Sequence, residues 1–180
     1  TGMNALAKDL ADGLNVETST MAFAVRPGAA DAPGRWEIAI DDGTSRWADA
    51  VVLTCPLPQS FALLVDSGIE LDEHVFRTDY DRTIGLLVTL DRPSAIPTPG
   101  GIQNADAVFS FIADNQAKGI SEIPAVTFHA NPTWSEAHWD DDEAALAELA
   151  TAATSWLGDA RVVQRQLKKW RFATPRTIWP

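Results

Sequence analysis

In 180 residues the chain has one cysteine, one tyrosine, two methionines and three histidines, and these scarcities narrow its chemistry. A lone Cys55 forms no intrachain disulfide, which fits a reducing compartment and gives the expectation of a cytoplasmic protein. No His or Lys adjoins it in sequence to activate a thiolate, so a buried structural thiol is expected rather than a nucleophile. Long apolar runs are missing: "FALLV" and "AVVLTC" are far too short to cross a bilayer. No basic start followed by an apolar stretch marks a secretory leader near Thr1. Positive charge is scarce too. Fourteen Lys and Arg against 25 Asp and Glu leave a formal charge of -11. That field repels phosphate backbones and anionic lipid, so neither nucleic acid nor a membrane is expected as a partner. The G-x-S-x-G elbow, the G-x-x-x-x-G-K-[ST] loop and the G-x-G-x-x-G fingerprint are all absent.

What is present is enough for one ordinary domain with a real core, since hydrophobic residues make up 46%. "GMNALAKDLADGL" carries Met3, Leu6, Ala7, Leu10 and Leu14 at helical spacing, with Thr1 as a cap and Gly13 near the stop. "VETSTMAFAV" reads as extended, with Met21, Phe23 and Val25 on one side. "RWEIAID" and "TSRWADAVVLTC" flank Asp42-Gly43, a hairpin signal. "PLPQSFALLVDSG" predicts a short helix entered through prolines and ended near Gly68. "TIGLLVTLD", "AVFSFIADN", "AVTFHA" and "RVVQRQLKKWRF" predict strands. "DDDEAALAELATAATSWLG" predicts a helix with acids in its first turn, where the dipole favours them, and Gly158 at its end. The order helix, three strands, helix, three strands, helix, strand lacks regular strand–helix alternation. An α+β fold is expected, with a mostly antiparallel sheet and helices packed on one side.

"FHANPTWSEAHWDDD", residues 128–142, gathers two histidines, two tryptophans and four acids. His129 and His138 lie nine apart, which does not suit two ligands reaching one ion from a helix. Consecutive acids on a helix point in different directions, so Asp140–Glu143 read as capping and no metal is expected. Trp134, Trp139, Trp156, Trp170 and Trp179 crowd the second half, where core is the ordinary role of tryptophan. Trp170 is different: it sits among Lys168, Lys169 and Arg171 and leads to Phe172. Six of the fourteen basic residues fall in the last twenty positions. They are either the solvated face of a late strand or a patch that holds a planar anionic ligand by stacking and ion pairing.

Five stretches in order resemble one family. "TGMNALAKDLADGLNVETST" resembles the Gly-Met-led helix and strand of flavin-dependent amine-oxidase-like enzymes. "WADAVVLTCPLPQSFALL" resembles their strand, proline turn and Leu-Leu helix. "SFIADNQAKG", "FHANPTWSEAHW" and "LKKWRFATP" are similar to the bacterial renalase-like branch. Two positions depart from the pattern: Phe172 stands where Tyr is usual, and Lys168 where His is common. The resemblance implies a longer parent, with the glycine loop before Thr1 and a flavin-contacting segment after Pro180. On that basis residues 1–56 are expected to be part of an FAD domain and residues 57–180 the substrate-binding domain.

The resemblance further implies an FAD-dependent oxidase acting on a small molecule, in bacterial renalases a dihydronicotinamide dinucleotide. Hydride would pass to flavin, which dioxygen would reoxidise; the protein would supply placement and electrostatics. His129, Trp134 and Trp170 would line the cleft over the flavin, with Asn115 and Lys118 at its rim. Phe172, Lys169 and Arg171 join them as expected substrate contacts. Met21 and Ala22 would hold the adenine through backbone groups, with Thr54, Cys55 and Pro56 near the cofactor. No catalytic side chain is assigned, and this segment alone is expected to be inactive and to bind FAD weakly. Two alternatives stand beside this reading: another flavin amine oxidase, or a non-catalytic α+β domain that binds a ligand or partner.

Overall fold

The computed structural model describes residues 3–176, except the side chains of Met3, His74 and Val75. The cap expected of Thr1 and the surroundings of Trp179 lie outside the described residues. The elements run α1 (Met3–Leu10), β1 (Ala22–Pro27), β2 (Trp36–Ile40), β3 (Ser45–Ala48), α2 (Leu57–Leu64) and α3 (Glu73–Phe76). They continue β4 (Tyr80–Leu90), β5 (Gly101–Gln103), β6 (Phe109–Asp114), β7 (Ala125–Ala130), α4 (Pro132–Ala137), α5 (Asp142–Leu157) and β8 (Val162–Pro175). The fold is α+β, with two antiparallel sheets. No described helix is long and apolar enough to cross a membrane. The residues pack as two compact units, Ala11–Asp79 and, with α1, Tyr80–Arg176.

In the first unit β1, β2 and β3 form an antiparallel meander. The expected Asp-Gly hairpin forms because Gly43, at φ 84°, takes a left-handed conformation that a side chain disfavours. Asp42 Oδ1 accepts from both Thr44 N (2.8 Å) and Thr44 Oγ1 (2.6 Å), closing the turn. The run expected to extend to Cys55 stops at Ala48. Its partner is exhausted there, because Ala48 pairs with Trp36, the first residue of β2. The alternation expected from Met21 to Val25 also fails. A register shift between Ala22 and Ala24 buries Ala24 and Val25 in succession and leaves Phe23 exposed. Arg46 and Glu17 form a two-point ion pair with N–O distances of 3.0 and 2.8 Å.

The second unit is a five-stranded sheet in the order β5-β6-β7-β4-β8. One face carries Ile84, Leu86, Val88, Ile112, Val126 and Phe128, and α5 packs on it through Ala145, Leu149, Ala153 and Leu157. Each buried Leu, Ile or Phe side chain contributes roughly 1.5–3 kcal/mol. Helix α5 starts where expected: the Asp141 carboxylate accepts from Ala144 N at 2.9 Å. Helix α4 was not expected, although Asn131 followed by Pro132 is a start signal. Asn131 Oδ1 accepts from Trp134 N at 2.9 Å, and buried Ser135 Oγ accepts from Ile84 N at 3.0 Å. The short elements α3 and β5 also lay below the resolution of the sequence pattern.

Candidate functional site

The face of the five-stranded sheet opposite α4 and α5 carries the candidate site. Strand pairing determines which side chains share it. Gly85 of β4 pairs with His129 of β7 on one side and Lys168 of β8 on the other, and His129 pairs with Phe111 of β6. Directly paired antiparallel residues point to the same face. Trp170, two residues beyond Lys168, therefore joins them.

The three rings form a row. The His129 ring centroid lies 5.3 Å from that of Trp170 and 5.6 Å from that of Phe111. Gly85 makes the row possible: a Cβ there would fall 2.7 Å from Trp170 Cζ3, so the indole rests where a side chain would stand. A glycine inside a strand is the usual mark of such an approach. Lys118 Nζ lies 5.7 Å from the Phe111 ring. Asn115 Nδ2 donates to Thr127 Oγ1 at 3.1 Å on the neighbouring row. An open groove of about 610 Å³ lies over Leu87, Thr127, Asn115, Gln164 and Gln166, and none of the three rings lines it.

His129 is half-buried, and burial pushes its imidazole below the ordinary histidine value, which favours the neutral form. A neutral ring offers one nitrogen as acceptor and one as donor. Trp170 is 42% exposed, so much of its indole faces outward.

His129, Trp170, Asn115 and Lys118 are thus brought to one face. Trp134 is not among them: it packs against the helix-side core and stacks on His138 at 3.9 Å. His138 is further held by Trp134 O at Nδ1 (2.8 Å) and by Glu148 at Nε2 (3.0 Å). The run Lys168–Arg171 does not form one patch, because strand alternation divides it. Lys169 turns to the helix side, where Nζ donates to Trp139 O and pairs with the Asp142 carboxylate. Arg171 Cζ lies 5.7 Å from the Phe172 ring, and Phe172 packs edge-on to Tyr80 at 5.5 Å.

The residues expected near a cofactor lie in the first unit. Met21 O accepts from Asp41 N at 3.0 Å, and Met21 N reaches Asp41 Oδ1 only at 3.4 Å. Ala22 begins β1 opposite Ile40. Thr54 is exposed, Cys55 Sγ lies 3.2 Å from Ser60 Oγ, and Pro56 precedes α2. The exposed Thr54 hydroxyl and the weakly held Met21 amide suit contacts to the edge of a cofactor. Nothing in the 180 residues supplies a pyrophosphate-binding glycine loop.

Sequence reading missed Phe111, Gly85 and Thr127 as members of the site. A glycine inside "TIGLLVTL" was a usable signal for Gly85. The other two depend on cross-strand register, which a single sequence does not display.

Solved structures share this fold, two of them as follows. One carries the name protoporphyrinogen oxidase, from Exiguobacterium sp. 255-15, with TM-score 0.66, 19% identity, and coverage of 97% of this chain and 40% of that one. The other is a CLA-producing fatty acid isomerase from P. acnes, with TM-score 0.63, 14% identity, and coverage of 95% and 40%. The chain therefore spans well under half the length of either protein. No protein-family model and no curated protein sequence matches it.

Proposed function

We propose that this chain supplies the substrate-facing sheet of an FAD-dependent oxidoreductase of the renalase-like kind, acting on a reduced nicotinamide-type or amine substrate. The observation that carries the reading is the ring row Phe111–His129–Trp170 on the sheet face opposite α4 and α5. The oxidase name of one structural neighbour points the same way.

In this reading Trp170 and Phe111 hold the substrate's ring, and the neutral His129 orients it by a hydrogen bond at one imidazole nitrogen. Lys118 and Asn115 set the rim. Bound FAD would supply the hydride acceptor, with dioxygen as the terminal oxidant. Met21, Ala22, Thr54, Cys55 and Pro56 would touch the cofactor's edge, while segments of the parent outside these 180 residues would hold its pyrophosphate.

The test is expression of the longest natural product that contains this sequence. A yellow protein bleached anaerobically by dihydronicotinamide isomers, and not by primary or secondary amines, is expected. Bleaching by amines alone moves the assignment to an amine oxidase. A product that stays colourless with added FAD overturns the oxidoreductase reading and leaves a ligand-binding domain.

A further inference from the structure

We infer that Gly85 seats the aromatic row Trp170–His129–Phe111, and that this row with Lys118 and Lys168 selects a planar, negatively charged ring system. The inference rests on the proposed reading of this face as the substrate face, and it names the chemical class the face would take.

Three independent features converge on it. First, the rings are inclined by 59° between His129 and Trp170 and by 51° between Phe111 and His129. A planar ligand stacked on one ring then meets the edge of the next, the favoured mixture of aromatic contacts. Second, the row depends on a missing side chain. A Cβ at Gly85 would stand 2.7 Å from Cζ3 and 3.2 Å from Cη2 of Trp170, so any larger residue lifts the indole off the sheet.

Third, the charge on this face departs from that of the chain. Between the register shift at Asp81/Thr83 and the end of β4, the strand positions sharing the face are Thr83, Gly85, Leu87 and Thr89, with Gly101 and Gln103, then Phe111, Ala113, Ala125, Thr127 and His129, then Gln164, Gln166, Lys168 and Trp170. None of these described positions is a carboxylate, in a chain with 25 Asp and Glu. Lys168 pairs with Gly85, and Lys118 stands over Phe111 at the other end of the row. Lysines at both ends favour an anion and disfavour a cationic amine. Lys169, next in sequence, adds nothing here, since alternation turns it to the helix side, where it pairs with Asp142.

The test uses the 180-residue chain and three small probes: naphthoate, its cationic counterpart naphthylmethylamine, and decanoate, an anion without a ring. Nuclear magnetic resonance follows the Trp170 indole N–H, assigned with Trp170→Phe. Naphthoate is expected to shift that signal saturably, with the other two probes at least about tenfold weaker. Affinity should fall about five- to tenfold in Trp170→Leu, and about two- to fivefold in Lys168→Ala or Lys118→Ala. Gly85→Val should move the Trp170 signal before any ligand is added and weaken naphthoate. If that variant does not fold, Trp170→Leu and Lys168→Ala carry the test. Equal binding of the cation, or unchanged affinity in Trp170→Leu, overturns the inference. Naphthoate binding as expected beside a colourless long product would sink the oxidoreductase reading and leave this site standing. Flavin-linked turnover beside unchanged affinities in these variants would do the reverse.

Discussion

Two side chains in the sheet unit carry measurable consequences of their surroundings. His129, between two aromatic rings, is held below its ordinary pKa by burial. The unfolded chain therefore binds a proton more readily than the folded one. Stability from this group is full above about 6.5, the unfolded value, and is lost as pH falls from there toward the lower folded value. Comparing urea unfolding of the wild type and His129→Gln across that window should show a steeper acid-side loss in the wild type. Parallel pH profiles would show that the ring is not desolvated. Ser135 is fully buried and satisfies the amide of Ile84, so Ser135→Ala leaves that N–H unpaired. The expected cost is about 1–3 kcal/mol in a denaturant melt. A change near zero would mean that the amide finds another acceptor.

Among the elements, legibility in sequence followed how local the determining forces are. Helix α5 could be read because its cap, its acidic first turn and its closing Gly158 lie within its own stretch. The β2–β3 hairpin could be read from Asp42-Gly43 for the same reason. The end of β3 could not, because it is fixed by where β2 runs out of residues to pair. The exposure of Phe23 could not either, because it follows from a shift in pairing with β2. The candidate site shows the same division. Trp170 and His129 stood out by residue type, whereas their contact through Gly85 needed the β4–β7 and β4–β8 registers. The separation of Lys168 from Lys169 needed only the period of a strand. At this scale the α5 cap is testable. Asp141→Ala removes the acceptor for Ala144 N and should cost about 1 kcal/mol. Asp141→Asn should restore most of it. A calorimetric comparison of the pair separates the capping bond from the helix-dipole effect of the charge.

For the whole molecule, composition established a core and an acidic field, and both are consistent with the packing; what it did not give is how much apolar surface stays in contact with water. Isolated exposed hydrophobics are ordinary on any protein surface. Here Leu6 and Leu10 of α1 are exposed together, so the apolar face read from helical spacing covers no core. In the first unit Leu14, Met21, Phe23, Val52 and Val65 are exposed as well, with Val52 at 84%. Val52 lies in the segment between β3 and α2, whose backbone joins no ladder among the described residues. Backbone outside any ladder, with apolar side chains, is a template for association. The net charge of -11 opposes association by repulsion, and salt screens that repulsion. The 180-residue chain should therefore self-associate in sedimentation velocity, with heavier species growing as protein and sulfate concentrations rise, since sulfate also strengthens apolar burial. Val52→Lys should reduce those species by adding a gatekeeper charge to the unpaired stretch. A chain that stays monomeric throughout would show that its exposed apolar residues act singly.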